Sequence, residues 1–170
     1  MKNLLLPILI TLSTTILAKT PDSLFGVYIN DNVLVYVTKE ELKSKRRNIV
    51  RDFYYVKIKN PPVSNKNYSD KLWVIFDKNN KIHSIQSEKV FQDSETCEKV
   101  EYGARRTLET KYNIEFVRNS RTKYGFQKLF KDNVISTQCK VFSDDKTTLF
   151  ITLKTIQYSR KYAESFDSKI

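Results

Sequence analysis

DSETCEKVEYGARRTLETKYN, from Asp93 to Asn113, is the stretch whose reading decides the fold. Its small and apolar residues, Cys97, Val100, Ala104, Leu108 and Tyr112, recur in steps of three and four and make one stripe of an amphipathic helix. Asp93 or Ser94 supplies a short side-chain oxygen for the amides at its start, which have no helical partner. Glu95 and Glu98 lie toward the positive end of the helix dipole and Lys111 toward the negative end. Asn113 tolerates the left-handed backbone that stops a helix. The other side, with Glu101, Arg105, Arg106 and Glu109, reads as a solvated face in which Glu101 pairs with Arg105 one turn on. Gly103 stands beside the stripe, where a close backbone approach to a sheet, or chance, accounts for it.

Working outward, the flanks read as strands and short helices. Leu24–Ile29 is a first short strand, and residues 33–37 suit a strand or a helix begun at Asp31. Thr38-Lys39-Glu40-Glu41 is a capping box that opens a short helix over about 39–46, closed by cations. Phe53 to Lys59 alternates as a strand and stops before Pro61-Pro62. Residues 72–76 and 82–86 flank Asp77-Lys78-Asn79-Asn80-Lys81 as a hairpin. Leu72, Val74 and Phe76 share one face, Trp73 and Ile75 the other, so the first strand of the hairpin is expected to be central and covered on both sides. Beyond the helix come short strands near 114–117 and 126–130, a strand over 134–142, and a last and longest strand over 147–158. Residues 159–170 are expected to be a loose or weakly helical tail. The sum is an α+β fold: an antiparallel sheet, or two, carrying one long helix (about 94–112), with one or two short helices near 31–46.

Composition bounds the function. Residues 1–18 have the form of an export signal: Lys2, an apolar run from Leu4 to Leu17 softened by threonines, and Ala18 before the cut. An uncleaved membrane anchor is the alternative, but a span wants ~20 apolar residues. Residues 19–170 then form one exported domain, periplasmic or extracellular, with no later membrane span. Two cysteines in an exported chain point to one disulfide, Cys97 to Cys139, each on the inward face of its element; a redox thiol would lack a CxxC partner. Three glycines leave no room for a glycine-rich phosphate loop. The net charge of +11 follows in part from a lysine-rich composition, and it favours anionic partners.

Chemistry-bearing residues are sparse. His83 is the single histidine and reads as a half-exposed strand residue; no spacing suits a metal, and no cofactor is implied. The carboxylate pairs Glu40-Glu41, Asp144-Asp145 and Glu98 with Glu101 read as a cap, a turn and a helix face. Cations beside aromatics, which grip phosphate, sulfate or sugars, make the candidate binding residues. One cluster is Lys43, Lys45, Arg46, Arg47 and Arg51; the other is Arg118, Arg121, Lys123, Tyr124, Phe126 and Lys128. The expected function is binding without catalysis, to an anionic envelope polymer, a membrane surface or another exported protein. Export argues against nucleic acid. A small hydrolase built on His83 or an acid pair, and a structural partner in the envelope, are the alternatives.

Overall fold

The computed structural model describes residues 19–119, 125–142 and 146–167; the expected export signal at 1–18, Asp144-Asp145, and Arg121, Lys123 and Tyr124 lie outside them. The strands are β1 (Ser23–Leu24), β2 (Val27–Tyr28), β3 (Arg46–Arg47), β4 (Phe53–Ile58), β5 (Lys71–Asp77), β6 (Ile82–Phe91), β7 (Val117–Arg118), β8 (Gly125–Leu129), β9 (Asn133–Val141) and β10 (Thr147–Thr155). The helices are α1 (Lys39–Lys43), α2 (Ser94–Tyr112) and α3 (Ile156–Asp167), with a 3-10 turn at Val33–Val35. β1 and β2 form a small hairpin. The other eight strands form one antiparallel sheet in the order β3-β4-β5-β6-β10-β9-β8-β7. The last strand in sequence therefore lies inside the sheet, paired with β6 on one side and β9 on the other.

α2 is the expected helix. The Asp93 carboxylate accepts from the Thr96 amide at 2.7 Å, and Asn113 closes the helix at φ 51°. Cys97, Ala104, Leu108 and Tyr112 are buried against Ile135, Cys139, Leu149, Ile151 and Leu153 of the central strands. Cys97 and Cys139 are bonded, closing a separation of 42 residues, which contributes about 4 kcal/mol by constraining the unfolded chain. No helix among the described residues is long and apolar enough to cross a membrane.

The solvated face expected on α2 is only partly so. Glu101 and Glu109 are buried, and Arg105 is mostly so. Glu101 lies four residues after Cys97 and three before Ala104, inside the stripe itself. It accepts from Thr137 of β9 and, at 3.2 Å, from Arg105. Glu109 accepts from the Phe116 amide and from Arg106, the one exposed member. The Arg105 guanidinium lies 4.0 Å from the Phe126 ring centre. These partners offset the cost of desolvating the charges. The expected Glu101–Arg105 pair is present, but as part of the helix–sheet contact.

Other expectations shift for local reasons. Leu24–Ile29 is two short strands, because Phe25 and Gly26 both take positive φ and turn the chain back. At Gly26 a Cβ would sit 2.8 Å from Pro62. Val33 starts a 3-10 turn whose Asn32 cap accepts from Leu34. The capping box of α1 forms, but the helix ends at Lys43, and Arg46–Arg47 pairs with β4 instead. The strand near 114–117 is the two-residue β7. β10 stops at Thr155, where the Thr155 hydroxyl oxygen accepts from the Tyr158 amide and starts α3, so the expected tail is helical through Asp167. β6, not β10, is the longest strand.

The close approach imagined at Gly103 is absent: a Cβ there would have the Tyr68 hydroxyl as nearest neighbour, 3.6 Å away. Gly103→Ala should therefore stabilise the protein by about 1 kcal/mol, the helix-propensity difference. Urea denaturation measures it, and an unchanged or lower midpoint would contradict the packing described.

Candidate functional site

α2 and the segment 24–37 share one apolar cluster with one face of the sheet. The opposite face carries the alternate residues of the same strands. There Trp73 of β5, Gln86 of β6, Thr152 of β10 and Ser136 of β9 lie directly across from one another. Ile75, Ser84 and Lys154 make the next row, and Glu88, Phe150 and Gln138 the row on the other side. Together with Arg46, Tyr55 and Lys140 they line a groove of about 680 Å3.

α3 closes one end of that groove. Tyr158 packs on Phe53, ring centres 5.2 Å apart, and with Val50 and Ile75 makes a second small core. β5 is thus third from the sheet edge and covered on both faces only at this end.

His83 belongs to the same closure. The pairing of β5 with β6 slips between Ile75 and Phe76, leaving His83 as the extra residue of a bulge. His83 is buried, not half-exposed. Its Nε2 lies 3.0 Å from Asp77 Oδ2 and its Nδ1 3.4 Å from Thr155 Oγ1. This chain of groups ties the ends of β5 and β10 and the start of α3 to the bulge. Burial alone would raise the Asp77 carboxyl. The bonds it accepts from His83 and from the amides of Lys81 and Asn79 outweigh burial and hold it below the usual carboxylate range.

The groove carries cations in excess of acids. Arg46, Lys140 and Lys154 face one carboxylate, Glu88, which accepts from the Gln86 amide at 3.2 Å. Lys154 is half-buried, and desolvation lowers its pKa. Among the described residues no carboxylate pairs with it; its ammonium lies 5.8 Å from the Tyr162 ring centre. It also borders a smaller hollow of about 160 Å3 toward Gln127 and Ser159. The Trp73 indole N–H is buried and has no acceptor among the described residues. In a hollow of about 250 Å3 elsewhere, the charged lining residues Lys57, Lys59, Lys66 and Asp70 are all solvent-exposed.

The described residues of the two basic clusters fall at opposite edges of the sheet. Lys43, Lys45, Arg47 and Arg51 are exposed around β3, where Lys45 lies over the Tyr54 ring. Arg46 alone of that cluster lines the groove. Arg118 and Lys128 lie on β7 and β8 at the far edge, and Phe126 is engaged by Arg105. Charged two-residue strands at both edges discourage pairing with another chain. Of the acid pairs, Glu41 closes the α1 capping box and pairs with Lys59, and Glu101 is committed to α2. The described residues hold no group of three or more metal-ligating side chains.

Two outcomes follow. Lys154→Met should stabilise the ligand-free protein by roughly 1 kcal/mol, because it removes a desolvated cation from the sheet; a lower denaturation midpoint would contradict this. Asp77 contributes stability above its unfolded-state pKa of ~3.9 and loses it as pH falls through its depressed folded value. Asp77→Asn should therefore cost roughly 1 kcal/mol at neutral pH, and its stability should fall less steeply than wild type on acidification, measured by urea denaturation. Compared with protein-family models, with curated protein sequences and with solved structures, the chain matches none.

Proposed function

We propose that this is an exported protein that acts without catalysis, holding an envelope component or another exported protein against the uncovered face of its sheet. The observation that carries the reading is the groove itself. Its aromatic, amide, hydroxyl and cationic side chains lie on adjacent strands, while the half-buried Lys154 ammonium has no carboxylate partner among the described residues. Unmet donors in a concave surface favour a partner that supplies acceptors. The Cys97–Cys139 bond supports an oxidising compartment.

A hydrolase reading draws on the Asp77–His83–Thr155 chain, which has the residue types of a nucleophile, base and orienting acid. Against it, the Thr155 oxygen is buried and already accepts from the Tyr158 amide, so the chain serves as a latch.

The test compares capture of partners from envelope extract by two variants. Gln86→Arg with Thr152→Arg fills the groove, and Lys43→Gln with Arg47→Gln discharges the β3 edge. The groove variant, folded by circular dichroism, should lose capture about tenfold, the scale of losing a charged hydrogen bond. The edge variant should retain capture. Loss in the edge variant alone would move the function to the β3 cluster and overturn this reading.

A further inference from the structure

From the arrangement of donors in the groove, we infer that its ligand is an acidic oligosaccharide whose carboxylate or sulfate meets Lys154 and whose sugar rings lie toward Trp73. This rests on the groove being the binding surface. The first argument is charge. Arg46, Lys140 and Lys154 line the groove against Glu88 alone, and Lys154 has no counter-ion among the described residues. A half-buried ammonium without an anion is destabilising until an anion arrives. The ligand therefore carries acid.

The second argument is the neutral chemistry between the charges. Gln86, Thr152 and Ser136 stand side by side on three adjacent strands, with Ser84 and Gln138 in the flanking rows. Amides and hydroxyls in such a ladder match sugar hydroxyls, which both donate and accept. An acyl chain laid there would bury these groups unpaired. Trp73 and Tyr55, in edge contact with ring centres 5.7 Å apart, form an apolar wall on the β4–β5 side. The C–H faces of sugar rings pack on such a wall.

The third argument is dimension. Trp73 and Lys154 lie two strands and one row apart, a separation of roughly 12 Å from strand spacing and rise. That suits several linked rings rather than one free anion. The groove is open across the strands from Arg46 to Lys140, so a chain can enter along it without threading.

Trp73 is the only tryptophan in the sequence, so its emission reports the groove directly. The purified protein is titrated with oligogalacturonate, a sulfated heparin oligosaccharide, a neutral malto-oligosaccharide, and vesicles of anionic phospholipid. An acidic oligosaccharide should change Trp73 emission saturably, and the neutral one should bind about tenfold more weakly or not at all, the scale of one charge-assisted bond. Lys154→Met should weaken the acidic ligand about tenfold. Lys43→Gln with Arg47→Gln, which leaves the groove intact, should not. The ratio of uronate to sulfate affinity identifies the acid. Equal binding of the neutral sugar, or undiminished binding by Lys154→Met, overturns the inference while leaving the groove as the binding surface. So does a response to vesicles alone. If no acidic oligosaccharide moves Trp73, the inference fails; if the groove-filled variant also captures partners normally, the functional reading fails with it.

Discussion

The contact between α2 and the central strands β6, β10 and β9 organises everything else in the molecule. The eight-stranded sheet is roughly 34 Å across by strand spacing, and α2, with 19 residues, is roughly 28 Å long by helical rise. One helix and the 24–37 segment suffice to seal one face of such a sheet. Among the described residues only α3 packs on the other face, and it reaches one corner. The rest of that face is left open, so its residues must satisfy water.

That division explains why the two faces obey different rules. On the sealed face even charges are internal: Glu101 and Glu109 are held by Arg105, Arg106, Thr137 and a backbone amide. Every carboxylate there has its donors. On the open face the relation is reversed: among the described residues Lys154 has no carboxylate partner and the Trp73 indole N–H no acceptor. A surface optimised only for stability would pair or delete those groups.

Local chemistry was legible in the sequence where it is written in neighbouring residues. Asp93, Asn113, the Thr38–Glu41 box and the Asp77–Lys81 turn all act within a few positions of themselves. The Cys97–Cys139 bond was legible because only two cysteines exist. Glu101 was misread because periodicity was followed through apolar residues alone, and its partner Thr137 lies on a distant strand. Thr155 looked like more strand, since nothing nearby distinguishes a cap from a ladder residue before the Tyr158 amide is in place. The groove was least legible of all. It is assembled from every second residue of strands that meet only in the folded sheet, and Trp73 beside Ile75 looked like a second buried face. The large polar residues alternating along β6, β9 and β10 were the available signal. The basic clusters stand out because they are contiguous, yet their described residues lie toward the sheet edges.

The position of β10 has a consequence for how the molecule is made. β10 joins β6 to β9, so before it arrives the chain holds two separate half-sheets, β3–β6 and β7–β9, each with an unpaired inner edge. Neither the apolar centre beneath α2 nor the groove above exists until this penultimate element slots between them. Long-range pairings of this kind form slowly because the connecting loops must be closed first. Of the described strands β10 is the last to be synthesised, so neither face of the sheet is complete until it has been made.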